Sequence, residues 1–391
     1  MIFFLLFIFS LNLKLNFFPY YLGGVLGVLG LINLIFSLKK NRINKEFFYL
    51  LFILMLIPFF YSISLIYNQT SDFYYLKTFF INNLVYLFSA FFLMQFFQKK
   101  INIFLYNEYI LNLSKVVLLQ LGLSLIMYVS PMFFDIIFYI IAMERDADLL
   151  KNFNDSRVVG FGISFFGAGV FYSLVLVLLA DFISKNKSNF LIIVYLIIVV
   201  VGIIISRTTV IGFIFSLIII LWNYRSNVNL IGLLLLLLSM LGFTLLYFVN
   251  KDEEIKKIVE FGFSFLYDYK NSQALESLGT LFEMFNILPS KFSTWIIGDG
   301  QFGNQDIYYM NTDVGYFRII FASGFFGLFL FFFVHLYMLV KIRSNYISNF
   351  TKIIIFVMLL ILNLKGVASF FVLLVLPFLF SIYFRKTIDN D

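Results

Sequence analysis

The sequence predicts an all-α integral membrane protein that forms one polytopic domain over residues 1–391 and crosses the bilayer about twelve times. Hydrophobic residues make up 62% of the chain and charged residues 13%, and the mean hydropathy is +0.98. Soluble domains have about 45–50% apolar and about 25% charged residues. Apolar runs of about 20 residues recur, which is the length that crosses a bilayer as a helix. The runs are continuous rather than alternating, and this pattern argues against a transmembrane β-barrel.

Taken in order, the apolar runs predict twelve spans that are separated by polar segments. They cover residues 1–13, 18–38, 47–67, 79–97, 113–130, 160–182, 189–205, 209–223, 229–249, 314–340, 350–364 and 367–384. The first and the eleventh are short for a membrane span. The first run is not predicted as a cleaved signal peptide, because it lacks a basic start and leads through "LNLKLNFFPYY" straight into the next apolar run.

The distribution of Lys and Arg over the short connections predicts the orientation. One side holds fifteen of them: Lys39, Lys40, Arg42, Lys45, Lys99, Lys100, Lys115, Lys185, Lys187, Arg225, Lys341, Arg343, Lys352, Arg385 and Lys386. The other side, with the long segment 250–313 left out, holds seven: Lys14, Lys77, Arg145, Lys151, Arg157, Arg207 and Lys365. Both termini are therefore predicted to be cytoplasmic. The net charge of +7 largely reflects this bias and does not indicate nucleic-acid binding.

Two predicted outer loops, 131–159 and 250–313, are longer than a connection requires, which indicates that the outer face carries the function. The longer loop contains two amphipathic stretches, "DEEIKKIVEFGFSFLYDY" and "SQALESLGTLFEMFNILP". Each places its apolar residues near one helical face, and the first begins with three acidic residues that suit a helix N-terminus. The pattern fits two short helices lying on the bilayer surface and fits equally well two helices packed on each other as a scaffold.

Charged residues at the outer ends of predicted spans suggest a chemistry. Arg157, Arg207 and Arg318 are candidate phosphate ligands, because the planar guanidinium makes paired bonds to phosphate oxygens. Asp313, at the mouth of a span, is a candidate base for a sugar hydroxyl. Together they fit metal-independent glycosyl transfer from a polyprenyl pyrophosphate sugar, in which arginines stabilise the leaving group. The alternative for Arg207 is that it snorkels to lipid phosphates, and the alternative for Arg318 is that it snorkels back to pair with Asp306 or Asp313.

Several other residues limit the chemistry. The chain has no cysteine and a single histidine, His335, which excludes disulfides and thiolate or histidine-based metal sites, and no cofactor is expected. His335 is interpreted as a polar residue in a helix contact. Gly298, Gly300 and Gly303 indicate a turn late in the long loop, and they do not form a nucleotide-binding loop because no Lys-Ser/Thr follows. Lys365 either snorkels outward or borders a lipid-binding cavity.

Four short motifs resemble the O-antigen polymerase and ligase superfamily of bacterial envelope glycosyltransferases. They are "ISRTT" around Arg207, "SRVVGFG" from Ser156, "WIIGDGQFG" with Gly298 and Gly300, and "TDVGYFRIIFASGFFG", which contains Asp313 and Tyr316. The motifs are short, but their order and their predicted side of the membrane agree with the family. In the ligase branch a histidine typically stands eleven residues before the first glycine of Gly-x-x-Gly. That position is Asp313 here, which favours the polymerase branch.

The resemblance implies the all-helical architecture of C-type glycosyltransferases in the bacterial inner membrane, with the active site on the outer face. The implied donor is an undecaprenyl pyrophosphate-linked oligosaccharide, and the implied acceptor is another lipid-linked repeat unit. The product would be O-antigen, capsule or another surface polysaccharide. Arg157 and Arg207 would hold the pyrophosphate, and Tyr316 would lie near the site. A chain-length regulator and a flippase are implied as partners besides the membrane lipids.

Other classes of protein remain open from the sequence. A ligase that transfers the glycan to lipid A core would share the motifs. A flippase for lipid-linked oligosaccharides would have a similar number of spans, but transporters usually show repeated halves and midplane binding residues, and neither pattern is seen here. An ion channel would be expected to bury carboxylates inside its spans, where acidic residues are nearly absent.

Overall fold

The computed structural model of the protein describes residues 1–39, 43–100, 105–142, 158–163, 165–186, 188–224, 279, 283–303 and 308–383. The predicted ninth span 229–249 lies outside these residues, as do Arg157, Asp306 and most of the two amphipathic stretches. Within the described ranges the secondary structure is helical apart from three isolated bridges. The all-helical class predicted from the sequence is confirmed for this part of the chain.

The α-helices follow one another along the chain with short connections. They are α1 Ile2–Leu11, α2 Leu22–Lys39, α3 Lys45–Asn68, α4 Tyr74–Leu76, α5 Asn82–Lys100, α6 Leu105–Val129, α7 Pro131–Ile140, α8 Phe165–Asn186, α9 Asn189–Ile205, α10 Thr209–Tyr224, α11 Phe292–Ile296, α12 Gly315–Lys341, α13 Asn349–Leu362 and α14 Phe371–Tyr383. A π-helical segment, Lys77–Ile81, joins α4 to α5 into one continuous rod.

Six of these rods are long and apolar enough to cross a membrane: α2, α3, the joined α4–α5, α6, α8 and α12. Six further apolar helices have 10–17 residues. The described residues therefore form a multi-pass membrane protein, as the composition indicates. The predicted first span is shorter than expected, because α1 has ten residues and is about 15 Å long, whereas the hydrocarbon core is about 30 Å thick.

Two predicted boundaries differ from the structure. The fifth span was expected over 113–130, but α6 begins at Leu105, so Lys115 lies inside the helix and not in a connection. The start of the predicted outer loop 131–159 is α7, which Ser130 caps by accepting the amide of Phe133 at 3.3 Å. Pro131 occupies the first turn, where its missing N–H costs nothing. The segment predicted as an outer loop therefore begins with a helix.

Helix α8 is the centre of the bundle, since every residue from Ala168 to Ile183 is buried. Neighbouring backbones approach it closely at glycines. A β-carbon on Gly212 would lie 2.1 Å from Cα of Ser173, and one on Gly169 would lie 2.5 Å from Oγ of Ser206. These contacts place the connection between α9 and α10 against the first turns of α8.

The opposite end of α8 is fixed by buried polar contacts. The Asp181 carboxylate, fully buried, accepts bonds from Lys185 Nζ at 2.7 Å and from Thr351 Oγ1 at 2.8 Å. At the same end of the bundle Glu46 pairs with Lys341 at 2.9 Å. Asp181 is thus explained as a structural residue that joins α8 to the start of α13. The candidate functional residues lie at the other end of the bundle, where α9, α11 and α13 end.

Helix α12 is broken at Ser323 and Gly324, where φ is −143° and +63°. The break frees two carbonyl groups, and both find partners from other elements. The carbonyl of Phe321 accepts the amide of Asp299 at 2.6 Å, and that of Ala322 accepts Oγ of Ser64 at 2.9 Å. The loop that follows α11 and the end of α3 therefore hold the break in place, as expected for broken helices in membranes.

Gly324→Ala is expected to destabilise the protein markedly. A β-carbon there would lie 2.1 Å from the carbonyl oxygen of Ile296, and the backbone conformation strongly favours glycine. We expect a loss of at least about 2 kcal/mol in the free energy of unfolding, measured as thermal unfolding in detergent. The matched control is Gly122→Ala in α6, where no atom lies within 4 Å of the new carbon and helix propensity predicts a small gain. Equal melting temperatures for the two variants would contradict the described break.

Candidate functional site

The basic turn, Ser206–Thr208, connects α9 to α10 at one end of the bundle. Ser206 is extended and ends α9, and the amides of Thr209 and Val210 bond back to the carbonyls of Ser206 and Arg207 at 3.0 Å each. Ser206 and Thr208 are buried, the carbonyl of Thr208 accepts Oγ of Ser173 at 3.3 Å, and Arg207 is half-buried. Burial lowers the pKa of Arg207, which nevertheless stays charged at neutral pH.

Lys365 is a second cation at the basic turn. Its Nζ lies 3.4 Å from Oγ1 of Thr208, the residue next to Arg207. The lysine is carried by the segment 363–370 between α13 and α14, and Asn363 fixes that segment. The Asn363 amide donates to the carbonyls of Leu359 and Ala368 and accepts the amide of Ala368. Lys365 is exposed beside the basic turn, and whether it snorkels outward or borders a lipid-binding cavity stays a prediction.

The same segment connects the basic turn with the entry to α12. A β-carbon on Gly315 would lie 2.6 Å from the carbonyl oxygen of Gly366, which follows Lys365 directly. Asp313 precedes Gly315 by two residues and is half-buried. The structure therefore brings Arg207, Lys365 and Asp313 to the same end of the bundle through contiguous contacts. Nothing is described for Arg157, but Gly160 shortly after it packs against Ile205.

Asp313 lies in an extended stretch before α12. Its amide contacts Sδ of Met284 at 3.5 Å, and its charge interacts favourably with that of Arg318 one and a half turns later. The Oγ1 atom of the neighbouring Thr312 accepts the amide of Val314 at 3.3 Å, just before α12 begins. The carboxylate is thus held at a helix entry beside a cation. A carboxylate at a helix entry is the kind of group that can serve as a general base.

Arg318 lies in an aromatic cage. Its guanidinium carbon is 4.1 Å from the centre of the Phe302 ring and 3.9 Å from the centre of the Tyr308 ring. The residue is only 9% exposed, and within the described residues its Nε has no hydrogen-bond partner. Two aromatic rings therefore lie within cation–π distance of the guanidinium. This arrangement is a desolvated cation–π contact, and a role of Arg318 as a phosphate ligand stays a prediction.

The glycine turn is clamped to the end of α3. The carbonyl of Gly298 accepts Nδ2 of Asn68 at 2.8 Å, and that of Gly300 accepts Oγ1 of Thr70 at 2.9 Å. Both glycines have a positive φ, +87° and +66°. Tyr316 has a different partner, because its hydroxyl donates to the carbonyl of Leu360 at 2.8 Å and joins α12 to α13. The glycine turn is therefore tied to the end of α3, and Tyr316 ties the start of α12 to α13.

An open cavity of about 820 Å³ lies between the segment 69–72, which follows α3, and the residues 301, 303 and 308–311, which precede α12. It is lined by Gln69, Thr70, Ser71, Asp72, Gln301, Gly303, Tyr308, Tyr309, Met310 and Asn311. The Asp72 carboxylate holds the two walls together, because it accepts the amides of Tyr74, Phe302 and Gly303 at 2.7–2.8 Å. Sequence reasoning missed this cavity. The only available signal was the tyrosine pair in an outer loop, which is weak by itself.

Tyr309 and His335 have assigned partners. The Tyr309 hydroxyl lies 3.4 Å from Oδ2 of Asp299, and burial together with that carboxylate raises the pKa of Tyr309.

His335 is buried, with Nδ1 2.8 Å from the carbonyl of Phe331 and Nε2 accepting the amide of Phe370 at 3.1 Å. His335 is therefore a polar residue in a helix contact, as the sequence suggested. Over the described ranges no three His, Cys, Asp or Glu residues cluster as a metal site.

No protein-family model, curated protein or solved structure matches this chain. The resemblance to the O-antigen polymerase and ligase superfamily therefore stays a prediction that rests on short motifs. The geometry supports a site built from a basic turn, a carboxylate at a helix entry and a neighbouring polar cavity, all at one end of a helical membrane bundle.

Proposed function

We propose that the protein is a metal-independent membrane glycosyltransferase that polymerises lipid-linked oligosaccharide units of a bacterial surface polysaccharide. The proposed donor is an undecaprenyl pyrophosphate-linked glycan, and the proposed acceptor is the non-reducing end of another lipid-linked unit. The observation that supports this proposal best is the convergence of Arg207, Lys365 and Asp313 at one end of the bundle, from three separate stretches of the chain.

The two cations suit the leaving group of this reaction. As the glycosidic C–O bond to the pyrophosphate breaks, negative charge grows on the phosphate oxygens, and Arg207 with Lys365 would stabilise it. Arg207 offers a planar fork for paired bonds, whereas Lys365 offers a point charge. Because Arg207 is half-buried, its interaction with a phosphate is stronger than that of a fully exposed arginine.

The carboxylate suits the attacking group. An acceptor hydroxyl forms the new C–O bond to the anomeric carbon and gives its proton to Asp313, while the electron pair of the broken bond leaves with the pyrophosphate. Attack from the face opposite the leaving group inverts the anomeric centre. The charges balance, because the proton lost by the hydroxyl stays on the carboxylate and the pyrophosphate departs as an anion.

We further propose that this end of the bundle faces the outside of the bacterial inner membrane and that both termini are cytoplasmic. The support is the excess of Lys and Arg in the connections at the opposite end. Lys341, Arg343 and Lys352 lie there beside the Asp181 network. A donor lipid that has been flipped outward by a partner would meet the basic turn at the outer interface.

Deletion of the gene tests this function against its rivals. The expected result is loss of long polymer, with single lipid-linked repeats accumulating on the outer surface, where an impermeant lectin or oxidant labels them. Accumulation on the inner leaflet would indicate a flippase instead. A second arm uses the purified protein in liposomes with lipid-linked repeats as the only substrate. A ladder of products supports a polymerase, and a requirement for lipid A core would indicate a ligase.

A further inference from the structure

We propose that the cavity between segments 69–72 and 308–311 binds an uncharged sugar segment, stacked on the ring of Tyr308. The inference rests on the proposed function in one respect, since a glycosyltransferase needs a place for the acceptor glycan. It goes further by assigning a subsite, separate from the basic turn, and by naming the side chains that form it. The volume of about 820 Å³ lies in the range of ligand-binding pockets, about 300–1,000 Å³.

The lining chemistry fits a carbohydrate. The residues that line it include three with side-chain amides, Gln69, Gln301 and Asn311, and two with hydroxyls, Thr70 and Ser71. Each can both donate and accept hydrogen bonds, as can every hydroxyl of a sugar. Tyr308 and Tyr309 add aromatic rings with a polar tip. The C–H face of a pyranose ring packs on an aromatic ring while its hydroxyls bond to amides, so this mixture suits an uncharged saccharide.

The Tyr308 ring is fixed before any ligand arrives. The guanidinium carbon of Arg318 lies 3.9 Å from its centre, and the same carbon lies 4.1 Å from the centre of the Phe302 ring. Tyr308 also pairs in an isolated antiparallel bridge with Gly303. Because Tyr308 also lines the cavity, its restrained ring is the platform on which we place the sugar. A rigid platform loses little conformational entropy when a ligand stacks on it.

The cavity wall next to this platform has an uncommon backbone. Met310 and Asn311 both have a positive φ, 58° and 53°, which is rare for residues with a side chain. The surrounding contacts enforce it, because the Tyr309 ring packs edge-on against Phe321 at 5.4 Å and the Tyr309 hydroxyl reaches Asp299. Strained, over-determined backbone of this kind occurs often in ligand-binding walls.

The charge distribution disfavours an anion as the occupant. The one ionisable acidic or basic side chain among the described lining residues is Asp72, and its three backbone partners hold it in place. A pyrophosphate in this cavity would meet the Asp72 carboxylate and, among the described lining residues, no lysine or arginine. The cations suited to phosphate are Arg207 in the basic turn and Lys365 beside it. An uncharged sugar therefore fits better than a lipid phosphate.

Saturation-transfer NMR on the full-length protein in lipid nanodiscs tests the assignment. The probes are maltotriose, cellotriose and chitotriose, with inorganic pyrophosphate observed by phosphorus NMR as the anionic arm. We expect saturable binding of at least one trisaccharide. Tyr308→Ala should weaken that binding about tenfold or more, because it removes the stacking platform. Tyr308→Phe keeps the ring and should retain most of it.

The matched control is Tyr139→Ala, since Tyr139 is 84% exposed on α7 at the same end and does not line the cavity. It should bind like the wild type. Binding of no trisaccharide, equal binding by Tyr308→Ala and wild type, or pyrophosphate binding that depends on Tyr308 would each overturn the proposal. Saccharide binding through Tyr308, in a protein whose deletion leaves polymer unchanged, would remove the polymerase function and keep the sugar site.

Discussion

Replacing Arg207 with alanine is expected to abolish long polymer in cells and to reduce polymerisation in liposomes at least about 100-fold. The reason is that Arg207 is the half-buried cation of the basic turn, in the part of the site that we assign to the pyrophosphate. Removing one group that stabilises growing charge in a desolvated site typically has an effect of this size. The measurement is product length on a gel together with the initial rate for purified protein.

Arg207→Lys is the informative companion. It keeps the charge but loses the planar fork, so we expect only part of the activity to return. Arg343→Ala is the matched control, because it removes an arginine from a connection at the opposite end of the bundle. Wild-type chain length in Arg207→Ala, at equal expression, would rule out the role in pyrophosphate binding. A loss shared equally by Arg343→Ala would point to folding instead of chemistry.

Replacing Asp313 with asparagine is expected to lower the rate by about 10²–10⁴, the usual contribution of a general base. The exchange preserves size and leaves the backbone contact with Met284 available, so the fold should be unaffected. The rate of transfer should fall while the affinity for the donor stays near that of the wild type. Asp313→Glu keeps a carboxylate at a shifted position and should retain more activity than Asp313→Asn.

Asp135→Asn in α7 serves as the control for Asp313, since it neutralises an exposed carboxylate that is carried by a different helix. It should polymerise normally. If Asp313→Asn produced polymer at the wild-type rate, the carboxylate would not be the base and the proton would have to leave by another route. Thermal unfolding of all variants in the same detergent separates loss of chemistry from loss of structure.

The long helices could be predicted from the sequence because each is an uninterrupted apolar run of sufficient length. The ends of the helices were harder to predict from the sequence. Asn12 stops α1 in a left-handed conformation, φ 44°, although the apolar run continues past it. The break in α12 was not foreseen either, because Ser323 and Gly324 stand in an apolar stretch that reads as one span. Both features depend on backbone conformation and on partners from distant parts of the chain.

Candidate residues of the site could be predicted from the sequence, but their arrangement in space could not. Composition and topology indicated that Arg207, Arg318 and Asp313 lie at helix ends, but the sequence gives no sign of which rings surround a cation. Phe302 and Tyr308 are 16 and 10 residues away from Arg318, and they reach it because Asp72 fixes the backbone of Phe302. Lys365 was left ambiguous for the same reason, since its neighbour Thr208 is 157 residues away.

The short helices around the basic turn have a consequence for the surrounding lipid. Helices α9 and α13 have 17 and 14 residues, and both end beside the basic turn. At 1.5 Å per residue they measure about 21–26 Å, less than the hydrocarbon core of about 30 Å. Hydrophobic mismatch of this size is relieved when acyl chains compress locally. The host bilayer would then be thinned beside Arg207, so acyl-chain length would influence how readily a polyisoprenoid headgroup reaches it.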